Sequence, residues 1–238
     1  MIAILSWSVL GILVAISVLL IARAYIRQRN SKALSFELVR GVQVPNQKGV
    51  YEAFAIKQRD DGTIHIMVNV SADRIVQTFL GLGELIRGRG FGIIEIPADE
   101  IALSKMGASK DHHFNDTYHL PEVSFADLKR SFFRFQEYFV HDGLINFGFV
   151  SHSPFDEVFV GAYKIFHIFT REPDKYLSLL KDRDFVEVSE LKTISHNISK
   201  KSPGSRESIT IDERNIEEIV RKDLVRQGWY HYETKSAD

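Results

Sequence analysis

The residue types best suited to chemistry crowd into one stretch, Asp111-His112-His113-Phe114-Asn115-Asp116-Thr117-Tyr118-His119. Imidazole nitrogens and carboxylate oxygens are ligands for zinc and other divalent cations. Adjacent His112 and His113 point apart. On a helix, however, His112, Asp116 and His119, spaced by four and three, share one face and converge, with Asp111 as a further donor. An ion held there would activate a water, the chemistry of a metal-dependent hydrolase. Against this, the stretch has no apolar periodicity to seat a helix, and Pro121 follows closely. The expectation is therefore a solvated loop in a long connection and no cofactor, with zinc or another divalent metal as the alternative.

Three further groupings have the right residue types and a simpler explanation. Ser151-His152-Ser153-Pro154-Phe155-Asp156-Glu157 offers a nucleophile, a base and acids. It lacks a glycine-flanked nucleophile elbow, and serines with Asp and Pro are what a turn between strands uses. Gly88-Arg89-Gly90-Phe91-Gly92 resembles a phosphate loop in composition. It leaves a helix, where the dipole is negative, instead of entering one, so it reads as a helix end. His141-Asp142-Gly143 reads as a helix C-terminus, where a cationic imidazole suits the dipole.

The elements that must position these residues are legible from periodicity. Runs at 50–57 and 64–70, the second alternating Ile64, Ile66, Val68 and Val70 with polar residues, are joined through Asp60-Asp61-Gly62 and predict a hairpin. Ser71 is placed to cap a helix carrying Ile75, Phe79, Leu82 and Ile86 on one stripe, followed by a strand over 91–96. Ser124 and Asp127 form a capping box at the start of a helix over 125–140, whose Leu128, Phe132, Phe135 and Phe139 should face a sheet. Strands are predicted at 144–150 and 158–169, a helix from Pro173 with Tyr176, Leu177 and Leu180, and a strand at 185–188. Beyond a polar break, Thr210 and Glu213 open a last amphipathic helix that stops at Gly228. The many phenylalanines of the second half, together with His65 and His167 on strands, read mainly as core, with an aromatic-lined ligand pocket as the rival.

The fold class expected is α+β: an N-terminal transmembrane helix, then a mainly antiparallel sheet covered by helices, arranged as two ββαβ units or a ferredoxin-like plait. The unit reading draws on a match of residues 85–91 with 179–185 at Leu, Arg and Phe. Residues 1–24 form the anchor, 25–48 a basic juxtamembrane segment and linker, 49–198 the α+β domain, and 199–238 the break and final helix. Residues 2–22 hold no charge and no proline, and at about 1.5 Å per residue they reach about 30 Å, enough to span a bilayer. Ala22-Arg23-Ala24 fits a signal cleavage site, but no basic segment precedes the apolar run, which favours a signal-anchor. Arg23, Arg27, Arg29 and Lys32 after the run place the N-terminus outside and the C-terminal domain in the cytoplasm. The absence of cysteine agrees with that compartment, where the three N-glycosylation sequons would stay unused.

A formal net charge of −1 with interspersed signs argues against nucleic acid as a partner. The partners expected are the lipid bilayer and a protein partner or homo-oligomer. Within the anchor, Ser8, Gly11, Ala15 and Ala22 share one stripe, the small-residue pattern that lets membrane helices approach. The function expected is a membrane-anchored cytoplasmic binding, adaptor or complex-forming domain. A metal-dependent hydrolase using the 111–119 loop and a small-ligand sensor are the alternatives.

Overall fold

The computed structural model describes residues 36–99, 103 and 114–236. The chain divides into two compact units, Met1–Phe36 and Glu37–Asp238, and every described element belongs to the second. The expected membrane helix with Ser8, Gly11, Ala15 and Ala22 lies outside the described residues, as do Asp111, His112 and His113. Among the described residues no helix is long and apolar enough to cross a membrane.

After a short strand β1 (Val42–Gln43), β2 (Ala53–Gln58) and β3 (Ile64–Asn69) form the expected hairpin, paired from Ala53↔Asn69 to Gln58↔Ile64. Its turn works as the Asp-Gly signal implies: Gly62 takes φ +79°, and the Asp61 carboxylate accepts the Thr63 N–H at 2.9 Å. Ser71 does not cap the helix that follows. Its hydroxyl accepts the backbone N–H of Glu37, and a 3-10 turn at Ala72–Arg74 leads into α1 (Ile75–Gly83). Ile75, Phe79 and Leu82 are buried as their spacing requires. Gly88, at φ +84°, turns the chain into β4 (Arg89–Pro97).

From Phe114 onward, the polar stretch expected to be a loop is instead the strand β5 (Phe114–Ser124), paired along β4 from Arg89↔Ser124 to Pro97↔Asn115. Ser124 then opens α2 (Phe125–Arg134) with a complete capping box: its hydroxyl accepts the Asp127 N–H and the Asp127 carboxylate accepts the Ser124 N–H. The predicted single helix over 125–140 breaks at Phe135 (φ −124°, ψ 23°), and α3 (Gln136–His141) continues it. The break leaves the apolar stripe intact, since Leu128, Phe132, Phe135 and Phe139 are all buried.

The strands β6 (Asn146–His152), β7 (Phe155–Val160) and β8 (Phe166–Thr170) form a meander. One strand was expected over 158–169, but the chain reverses at 161–165, where Tyr163 and Lys164 both adopt φ +57°. Residues α4 (Pro173–Asp182), β9 (Val186–Glu187) and β10 (Ser205–Arg206) follow, β10 pairing only with β1. The last helix, α5, begins as an α-turn at Ile216–Glu218, widens to a π-helix over Ile219–Leu224 and tightens to 3-10 over Val225–Gln227. Its end is as expected, with Gly228 in the left-handed region at φ +97°. The chain then adds an unexpected strand, β11 (Tyr230–Ser236).

Nine strands form one sheet in the order β11-β5-β4-β6-β7-β8-β3-β2-β9, antiparallel throughout except for β2 with β9. A ferredoxin-like plait would set β9 beside β4. Here β9 pairs with β2 at the far edge, so the plait is not formed. After each hairpin a helix carries the next strand across the other hairpin: β9 lands beside β2, and β4 lands beyond β7 with β6 between them. The sequence match that suggested a repeat does not track this, because Leu179 lies within α4 while Leu85 lies past the end of α1.

Candidate functional site

Successive side chains of a strand point to opposite faces, so each strand contributes to two surfaces. On one face Phe54, Ile66, Val68, Ile94, Phe147, Phe149, Val158, Phe166 and Ile168 are buried. Every described α-helix packs there. Phe79 of α1, Phe132 of α2 and Phe139 of α3 all meet the Phe147 ring, with centroids 4.9, 5.6 and 5.1 Å away. From α4, Lys175 reaches Asp156 at 2.7 Å, and from α5, Arg221 reaches Asp116 at 2.8 Å. A cavity of about 10 Å³ among Phe79, Leu128, Phe132, Phe147 and Trp229 has room for one water at most and is a packing void.

The opposite face carries no described α-helix, yet it is aromatic. Register places His167 of β8 opposite Phe159 of β7, then Gly148 of β6, Ile93 of β4, His119 of β5 and Tyr230 of β11 in one row across the sheet. The glycine is where the Phe159 ring lies: a Cβ on Gly148 would come within 2.7 Å of it. At one end His65 and His167 share a hydrogen bond of 3.1 Å, and Phe169 stacks on His65 at 4.3 Å. At the other, His119 stacks on Tyr232 at 4.2 Å and lies 4.9 Å from Phe91, which in turn lies 5.1 Å from His152. Tyr230 and Tyr232 are 45% and 56% exposed, while the rings between the two ends are half-buried by one another.

Burial favours the uncharged form of three imidazoles on this face. It lowers the pKa of His65 and His119, and it brings that of His167 down to about 4, with His65 adding to the effect. Burial also raises the pKa of Glu157. Beside the aromatic row, Glu95 holds Asn146 at 3.1 Å and Lys235 at 3.1 Å. The row is thus mainly apolar, with the carboxyl groups of Glu157 and Glu95 beside it.

The residues singled out in the sequence fall elsewhere. The metal expectation needs a helix, and residues 114–124 are a strand, so Asp116 and His119, three apart, project from opposite faces of β5 and do not converge. Asp116 is buried against Arg221, and it accepts a hydrogen bond from the Thr234 hydroxyl at 2.6 Å. His119 is part of the aromatic face. Among the described residues no three His, Cys, Asp or Glu side chains gather as metal ligands do.

Ser151 and His152 likewise separate. The Ser151 hydroxyl donates to the Arg87 carbonyl at 3.0 Å on the helix side, and His152 lies on the other. Asp156 accepts from Thr170 at 2.5 Å and pairs with Lys175, and burial, with the Asp156 charge adding to it, raises the pKa of the adjacent Tyr176 hydroxyl. Burial lowers the pKa of His141, so it is not the cationic cap that its place at a helix end suggested. Asp142 beside it is a buried hub, accepting from the N–H groups of Leu144, Ile145 and Ile209 and from the Ser208 hydroxyl.

The open aromatic face was missed because its members are scattered over seven strands. The available signal was alternation: His65 and Met67 between Ile64, Ile66 and Val68, or Phe159 and His167 out of phase with Val158 and Ile168. The chain matches no protein-family model, no curated protein and no solved structure.

Proposed function

We propose that this chain is a non-enzymatic, membrane-tethered binding subunit whose working surface is the helix-free face of the sheet, and that its partner is another protein presenting an apolar surface. One observation carries the reading: aromatic rings and imidazoles line that face from His65 to Tyr232, while every described α-helix packs on the other side. Large apolar surfaces rimmed by polar groups mark interaction sites on soluble domains, and tyrosine, phenylalanine and histidine supply contact area at low entropic cost. The uncharged, cysteine-free apolar run at residues 2–22 and the basic residues after it support tethering with the domain in the cytoplasm. Asp116 and His119 project from opposite faces of β5, and Ser151 and His152 from opposite faces of β6, so neither pair supports the hydrolytic alternative.

Photo-crosslinking in native membranes tests this. A benzophenone amino acid replacing Phe169 or Tyr232 should give a discrete protein adduct, and the same probe at Lys129, on the helix side, should not. Adducts of equal yield from both faces, or none from the sheet face, would overturn the assignment.

A further inference from the structure

A lysine is buried in this domain without a carboxylate against it. Lys164, in the turn between β7 and β8, is 3% exposed. Its amine donates to the Ile145 carbonyl at 2.8 Å and lies 5.6 Å from the centre of the Phe147 ring. Among the described residues no carboxylate lies within ion-pair distance of it. Asp142 acts on it through space only, because each of its carboxylate oxygens already accepts two hydrogen bonds from other donors. Arg206 of β10 acts on it with the opposite sign, and Lys164 in turn disfavours a charge on His141. An ammonium group has three N–H bonds to satisfy, and here one carbonyl and one ring must serve. Burial accordingly brings the Lys164 amine down to about 7, with Arg206 adding to the shift and Asp142 opposing it.

The turn that holds this amine inside is itself strained. Tyr163 and Lys164 are adjacent, neither is glycine, and both stand at φ +57°, in the left-handed region that a Cβ disfavours. The same turn touches a second structure: the Arg206 guanidinium lies 5.5 Å from the centre of the Tyr163 ring. Arg206 belongs to β10, which pairs with β1, and Glu207 after it exchanges backbone hydrogen bonds with Gly41 and Gly143. We infer that the turn over residues 161–165 is a latch: with the Lys164 amine uncharged it closes on the core and holds β10 and β1 in place, and with the amine charged it swings outward and frees them. Closing selects the uncharged amine. Its contribution is therefore complete above the ordinary lysine value of 10.5, is lost as pH falls towards about 7, and changes no further below that. Within that window the ratio of closed to open turn falls about tenfold per pH unit. The latch is independent of what the aromatic face binds.

Hydrogen–deuterium exchange of the full-length chain in detergent tests it, at labelling times before the core exchanges. Wild type is compared at each pH with Lys164→Met, which carries no charge at this position, so that the intrinsic pH dependence of exchange cancels. Between about pH 9.5 and 7.5, exchange of residues 161–165 and 205–207 relative to Lys164→Met should rise about tenfold per unit of acidification. The same ratio for α1 should stay constant. Lys164→Arg, charged throughout this range, should exchange fast in both segments at every pH. A constant ratio in the turn, or a Lys164→Arg turn as protected as that of Lys164→Met, would overturn the latch. A response confined to the turn would overturn the release of β10, and an equal response in α1 would replace the latch with opening of the whole domain.

Discussion

The two faces of the nine-stranded sheet are made by alternate residues of the same strands, and they solve burial in different ways. On the helix side the sheet supplies half of a core, and helices supply the rest: Phe147 meets rings from α1, α2 and α3. On the open side neighbouring strands shelter each other, as Phe169 shelters His65 and Phe159 covers Gly148. A ring buried between layers loses contacts on all sides when truncated. A ring lying on an open sheet loses only its lateral ones. An apolar residue on a strand is thus no sign of which solution applies, whereas the histidines and half-exposed tyrosines of one face are.

The largest expected effect breaks the helix side. Phe132→Ala should lower stability by about 3–5 kcal/mol, a large part of the roughly 5–15 kcal/mol a domain has. Urea midpoints of the full chain measure it. A loss near that of an exposed site would mean that the layer is not the core.

Next comes a pH effect confined to the open face. In the fold His167 titrates near 4, below the usual value of about 6.5. Its depressed pKa means that folding favours the neutral ring, so this contribution is complete above about pH 6.5 and is lost as pH falls towards 4. The loss should approach about 3 kcal/mol. The difference in stability between wild type and His167→Gln should therefore shrink on acidification from pH 7 to 4.5. A difference that is constant over that interval would show the imidazole to be fully solvated.

A smaller effect sharpens the contrast. Phe169→Ala, with its stacking on His65 as the principal loss, should cost about 1 kcal/mol or less while weakening whatever crosslinks to that face. If it costs as much as Phe132→Ala, the open face is itself a core. The smallest effect belongs to Arg130→Ala. Its side chain is 80% exposed and its ion pair with Asp127 lies on the same helix, so the midpoint should move by no more than about 0.5 kcal/mol.

Much of this architecture rests on short-range rules. The Asp60-Asp61-Gly62 turn, the Ser124 and Asp127 capping box, the Leu128-to-Phe139 stripe and the Gly228 terminus all follow from residues within a few positions of each other, and all are present in the structure. Even there, neighbours elsewhere intervene. Ser71 has a capping residue's chemistry, but Glu37 offers its N–H and takes the hydroxyl. Phe135 breaks a helix that its stripe alone would continue.

The helical reading of Asp116 and His119, on which the metal alternative depended, does not hold, because it rested on spacing alone. A strand with Asn115, Asp116, Thr117 and His119 in it has no apolar alternation to announce it. What makes β5 a strand is that its polar residues find partners far along the chain, such as Thr234 for Asp116, separated by 118 positions. The buried carboxylate then needs Arg221 to offset its desolvation.

By itself, then, the sequence determined many of the local elements, an α+β composition of them, and the inward phase of β3, because turn chemistry, capping and alternation act between near neighbours. Only the tertiary structure decided that β5 and β11 are strands, that β9 joins β2, and that seven strands together make an aromatic face. A strand's register and neighbours are set by hydrogen bonds and charge pairs to residues distant in sequence, and no local pattern encodes which distant residue will arrive.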